Sequence, residues 1–202
     1  MQPKLIVEQK ITALVNRYRV YSADDSGEKS ELLAFAQQKR LALKEKITFY
    51  SDEQKTEEIF SFRAEKVVDV HGKYIIEDAS GKKLGTFKKD FKKSLTSSTW
   101  HILGNNGQPV ITTKESNSTL AIIRRIAGFL PIIGDIAELL VSVFRYHFIL
   151  VDVAGGKEIG KYQKTKLFRD HYKLSMDTAS YGKQDWRVIA SLAVALDALQ
   201  SR

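Results

Sequence analysis

The chain has no cysteine. That single absence removes disulfides, thiolate nucleophiles and cysteine-ligated zinc or iron–sulfur centres together, and a reducing compartment suits such a chain. The opening MQPKLIVEQK returns to charge within a few residues and holds no apolar run of signal-peptide length. The expectation is a cytoplasmic protein, placed at the inner face of a membrane if it is membrane-peripheral. Catalytic signatures are missing as well: there is no H-E-x-x-H, nucleophile elbow, Walker loop or dinucleotide fingerprint. The four histidines, His71, His101, His147 and His171, stand singly, and a strand would point Asp170 and its neighbour His171 to opposite faces. Gly104 and Gly107 in GNNG serve a turn rather than a phosphate loop, because no helix follows. These absences predict a protein that is not an enzyme and that takes no cofactor and no metal.

What is present is a chain of 202 residues, 43% of them hydrophobic, enough for one domain spanning 1–202 with a sizeable core. The net charge of +8 invites an anionic partner, a membrane surface ahead of nucleic acid. The alternative is that lysine-rich strand faces keep a β-protein soluble and monomeric.

From Leu5 to about Thr113 short strand-like runs alternate with turn signals. In IFSFRAE, Phe60, Phe62 and Ala64 form one face and Ile59, Ser61 and Arg63 the other, the mark of a strand buried on one side. Three segments repeat one layout: Tyr74–Lys89, Trp100–Glu115 and Phe148–Lys164 each place an apolar strand, a polar turn ending in Gly81, Gly107 or Gly156, and a second strand. Each is read as a β-hairpin whose glycine supplies a positive φ, the third with one extra turn residue. Many short strands at this spacing make a sandwich or a barrel.

Two segments break the pattern. Residues 116–144 read as an inserted apolar hairpin of two short helices, broken at Gly128, Pro131 and Gly134 and interrupted by Arg124, Arg125, Asp135 and Glu138, a poor fit to one bilayer-spanning helix. The last segment, 184–201, reads as a helix starting near Gln184 or Asp185. Its stretch Val188–Leu196 has no charge and only one hydrogen-bonding side chain, Ser191. Nine residues rise about 14 Å, roughly half a bilayer core, so the expectation is enclosure rather than spanning. A helix apolar on every side must be buried on every side. A closed barrel offers that, and alanines 190, 193, 195 and 198 keep the helix slim enough for its lumen.

The phrases YIIEDASGKKLGTFKK, ILVDVAGGKEIGKYQKTKLFRDHYKLSMD and DWRVIASLAVALDAL together resemble the Tubby C-terminal-like superfamily, in its phospholipid scramblase and LURP-one-related branch. The likeness covers most of the chain from about Val67 onward and, more loosely, the strands before it. It implies a closed antiparallel β-barrel of about twelve strands around a hydrophobic C-terminal helix. It also implies lipid association, since Tubby-type members bind phosphoinositide head groups through basic residues on the barrel wall and scramblase-type members associate with membranes and calcium. The chain departs from the scramblases before the last helix. There SMDTASYGKQDWR offers only Asp177 and Asp185, with Lys183 and Arg187 beside them, too few oxygens for calcium.

Two constellations are candidates for binding. KKLGTFKKDFKK carries Lys82, Lys83, Lys88, Lys89, Lys92 and Lys93, either a head-group site for anionic lipids or a solvated, aggregation-resistant edge. Its interleaved Phe87 and Phe91 are the only feature that suggests single-stranded nucleic acid, and Phe87 alternates as an inward core residue would. The second is Ile122, Ile123, Arg124, Arg125, Ile126, Phe129, Leu130, Ile132 and Ile133, whose composition fits either an interfacial membrane anchor or a cap over a barrel mouth. The resulting expectation is a non-enzymatic, lipid-associated or membrane-peripheral barrel. The alternative is a soluble scaffold or protein-binding module whose 120–144 hairpin meets a protein partner or another copy.

Overall fold

The computed structural model describes residues 1–11, 15–39, 46–65, 72–94, 98–116, 147–166 and 170–199. Twelve antiparallel strands run in sequence: β1 (Gln2–Ile11), β2 (Val15–Ala23), β3 (Lys29–Lys39), β4 (Lys46–Tyr50), β5 (Glu58–Ala64), β6 (Lys73–Asp78), β7 (Lys83–Lys89), β8 (Thr99–Leu103), β9 (Pro109–Glu115), β10 (His147–Asp152), β11 (Glu158–Lys164) and β12 (Asp170–Met176). Each pairs with the next, and β1 closes on β12 from Gln2↔Met176 to Gln9↔Asp170, making a closed barrel. Closure leaves the sheet without an outermost strand. The expected twelve-stranded barrel is therefore the observed one.

Strand alternation decides what lines the lumen. Phe60, Phe62 and Ala64 join the buried core, while Arg63 on the opposite face of β5 makes a two-pronged pair with Glu77 across to β6. Phe49, Phe60, Phe62, Tyr74, Phe87 and Trp100 form a continuous aromatic belt inside β4–β8, with neighbouring ring centroids 4.2–6.1 Å apart.

The three expected hairpins are present, and the turns of the first two share one hydrogen-bond scheme. Gly81 and Gly107 donate to the carbonyls of Asp78 and Gly104, and the enclosing bonds run from Asp78 N–H to Lys82 and from Gly104 N–H to Gln108. In the third, Asp152 N–H reaches Lys157, one residue farther, as the sequence spacing requires. Each hairpin also has a register shift just before its turn. The same scheme recurs at Asp24–Gly27 between β2 and β3, a copy the sequence comparison did not single out.

These tight turns all lie at one end of the barrel. The last residues of β1, β3, β5, β7, β9 and β11 and the first residues of β2, β4, β6, β8, β10 and β12 lie at the other, the long-loop end. There α1 (Phe91–Ser94) follows β7. At the tight-turn end, α2 (Thr178–Gly182) and the start of α3 (Trp186–Ala198) close the mouth, capped by the carboxylates of Asp177 and Asp185.

Helix α3 runs inside the barrel. Every residue from Val188 to Leu196 is buried, as are Ala198 and Leu199. Of the two expected starts, Gln184 and Asp185, it is Asp185 that serves as N-cap, accepting from Arg187 N–H. The wall comes close at Gly85 of β7, where a Cβ would stand 2.7 Å from Val188 Cγ2. Only glycine leaves room for the helix at that level.

Candidate functional site

The polar chemistry of the lumen gathers where α3 ends, at the long-loop end. Asp197, one residue past the apolar stretch, accepts hydrogen bonds from Tyr172 Oη at 2.8 Å and Tyr18 Oη at 3.0 Å. Gln9 donates in turn to Tyr18 Oη at 3.0 Å. Tyr162 stacks on Tyr172, with ring centroids 5.2 Å apart, and among the described residues its buried hydroxyl has no hydrogen-bond partner. Gln38, held by Asn16, and Lys89 reach the Ala198 and Leu199 carbonyls at 3.4 and 3.5 Å, meeting acceptors that the helix end leaves open. Burial raises the Asp197 carboxyl to about 6 even though both tyrosine hydrogen bonds favour the anion. The same burial, with Asp197 beside them, pushes the Tyr18 and Tyr172 phenols up, so they stay protonated donors.

Both described histidine side chains are engaged. His101, on the outer face of β8, lies between Thr112 Oγ1 at 2.9 Å and Asp90 Oδ2 at 3.2 Å, and burial lowers its pKa despite the carboxylate. His171 meets Thr165 Oγ1 at 2.5 Å and is likewise pushed down by burial. Its neighbour Asp170 pairs instead with Lys164 at 2.8 Å, so the two point apart as expected. Asp177 and Asp185 are spent as helix caps, with Arg187 clasping Asp185. Among the described residues no three His, Asp or Glu side chains come close enough to hold a metal ion.

The six candidate lysines do not form one patch. Lys82 and Lys83 lie at the tight-turn end, exposed, separated from the far end of β7 by roughly 20 Å at ~3.3 Å per residue. Lys88 sits near the long-loop end of β7, between Lys73, the first residue of β6, and His101 of β8. Lys89 turns over the rings of Trp100 and Phe91 towards the helix end. Lys92 and Lys93 are exposed on α1 at the long-loop end, beside Phe91, itself 44% exposed. Phe87 is an inward core residue.

Ile122, Ile123, Arg124, Arg125, Ile126, Phe129, Leu130, Ile132 and Ile133, and with them the expected helical hairpin, lie outside the described residues. Its attachment points are described. Strand β9 ends at Glu115, directly opposite Phe148 of β10, so both open at the long-loop end, one strand away from the β8 that follows α1. No helix among the described residues is long and apolar enough to cross a membrane.

The sequence reading missed the Asp197 cluster. Tyr18 and Asp197 are 179 positions apart, and nothing local links them. One signal was available, a lone carboxylate ending an otherwise apolar helix.

A search among curated proteins gives no match. The LURP-one-related family profile matches residues 32–197, beginning inside β3 and ending at Asp197. That extends the likeness well upstream of Val67 and leaves β1 and β2, which complete the barrel, outside it. With most of the chain matched and the twelve-stranded barrel around its C-terminal helix in place, the protein belongs to the LURP-one-related family of the Tubby-like superfamily.

Proposed function

We propose that the protein is a non-enzymatic, membrane-peripheral barrel that binds anionic phospholipid head groups through its long-loop end. The observation that carries this reading is the α1 turn, where Phe91, large, apolar and exposed, stands beside Lys92 and Lys93. An exposed aromatic residue followed by two exposed lysines, Lys93 with its ammonium 3.9 Å from Asp90, matches the headgroup boundary, where the ring enters the acyl region and the lysines meet phosphates. The strand ends that flank the apolar stretch 117–146, Glu115 of β9 and Phe148 of β10, open at the same end. Lipid binding in the Tubby-like superfamily and the net charge of +8 support the reading.

Each lysine near an anionic surface contributes ~1 kcal/mol, so losing Lys92 and Lys93 weakens partition by on the order of 30-fold. The test is co-sedimentation with phosphatidylcholine vesicles, with and without phosphatidylserine, at low and high salt. Wild type should pellet only with the anionic vesicles and be released by salt. Lys92→Glu/Lys93→Glu should lose pelleting, and Lys82→Glu/Lys83→Glu at the opposite end should keep it. Equal pelleting with neutral vesicles, or equal loss in both variants, overturns the proposal.

A further inference from the structure

We propose that the tight-turn end docks an extended segment of a partner protein, with alternating basic and apolar residues, as a short added strand on β3. This is independent of the lipid reading, which uses the opposite end.

Strand β3 has eleven residues and β4 only five. Their pairing is confined to Phe35↔Tyr50, Ala36↔Phe49 and Gln37↔Thr48, after which the chain leaves β4 for the Ser51–Glu57 turn. The first half of β3 is paired with β2 alone, through Ala23↔Lys29, Tyr21↔Leu32 and Val20↔Ala34. On its other side, residues 29–34 face no strand, leaving a notch in the wall about 17 Å long at ~3.3 Å per residue.

A groove of ≈ 950 Å³ opens along that notch. Its apolar floor is Leu33, Ile59, Tyr181 and Trp186, all partly buried against the core, with Trp186 set edge-on to Phe60. Its charged lining is Glu31, Glu57, Glu58, Asp78 and Asp185 against one cation, Arg187. Arg187 is clasped by Asp185, Asp78 is occupied by the amides of its own turn, and Glu58 has Lys46 at 3.8 Å. Glu31 and Glu57 are exposed, and no ion pair to another described residue engages them.

Unpaired strand edges are templates for a further strand, and proteins usually blunt them with lysine, proline or a covering element. Here residues 29–34 read Lys-Ser-Glu-Leu-Leu-Ala; Lys29 is turned away to Glu8 of β1 and the Tyr21 ring, and the part that lines the groove is Glu31–Leu32–Leu33, acidic and apolar, on a chain whose overall charge is strongly positive. The local field thus selects a cationic segment. Two register shifts interrupt the regular alternation of β3 between Lys29 and Ala34, so Glu31 and Leu33, two residues apart, are not held to one face; the apolar side chains of an added strand would cover Leu33, Ile59 and Trp186 while its lysines or arginines meet Glu31 and Glu57.

The probe is the fluorescent peptide acetyl-Lys-Val-Lys-Leu-Lys-Val-Lys-amide, followed by anisotropy and by tryptophan emission. The chain has two tryptophans and Trp100 is fully buried, so an emission change reports Trp186. We expect saturable binding, a blue shift, and slowed amide exchange within residues 29–34. Binding should be about tenfold weaker in Glu31→Lys/Glu57→Lys. Both positions are exposed; the single changes Glu31→Gln and Glu57→Gln give a graded series if the double variant folds poorly. A peptide N-methylated on alternate residues keeps its charge but cannot bond to a strand edge, and should not bind. Lack of saturable binding, equal affinity of the N-methylated peptide, or an affinity unchanged in the glutamate variants overturns the proposal.

Discussion

Replacing Gly85 by alanine tests whether the barrel wall and the central helix meet as described. The new Cβ would stand 2.7 Å from Val188 Cγ2, 3.4 Å from Val188 Cγ1 and 3.6 Å from Ile76 Cδ1. Ordinary carbon contacts begin near 3.5 Å, so wall or helix must shift by close to 1 Å, and overpacking of this kind costs about 1–3 kcal/mol. Val188 is 3% exposed. Trimming it to alanine removes two buried methyl groups, a loss of about 1.5 kcal/mol in transfer energy with a further cavity contribution. Combined, the two changes should compensate, because the alanine methyl at 85 enters the space that the valine vacates. The double variant is expected to be about 1–2 kcal/mol more stable than the two single losses added together. Urea unfolding, followed by far-ultraviolet circular dichroism on all four proteins, measures that coupling. Additivity within about 0.5 kcal/mol would refute a direct contact between β7 and α3, and with it the placement of the helix against this strand.

Two other perturbations probe the same interior. Ala193 is fully buried at the centre of α3, so Ala193→Asp would seal an unpaired carboxylate in the lumen and should abolish soluble folding; a soluble, cooperatively melting variant would place the helix elsewhere. Asp197 titrates near 6 in the folded protein, above the ordinary carboxylate value, so the native state holds its proton more tightly than the unfolded chain. Stability linked to this group is highest below about pH 4, falls as pH rises from about 4 to 6, and is lowest above 6, a swing on the order of 3 kcal/mol. Asp197→Asn should flatten that part of the profile in denaturation measured from pH 4 to 7.5, and an unchanged slope would assign it to other groups.

The barrel was legible in the sequence to the extent that its physics is local. Alternation in IFSFRAE sets which side chains turn inward, and the glycines at 81, 107 and 156 place three turns to the residue, including the longer third one. The fourth turn, at Asp24–Gly27, has the same geometry, but its flanking strands do not resemble those of the other hairpins. The lysines show the opposite case. KKLGTFKKDFKK is one cluster along the chain, yet a seven-residue strand carries its two ends to opposite mouths and turns Lys89 towards the helix.

By itself the sequence determined the three glycine-marked hairpins and the enclosure of the last helix, because backbone alternation, positive φ and all-round apolarity act over a few residues. The tertiary structure alone decided three further features: the Asp197–Tyr18–Tyr172 cluster, the closeness of Gly85 to Val188, and the unpaired edge of β3. Each depends on strand register and on the closure of β1 onto β12, which bring together groups that no local pattern connects.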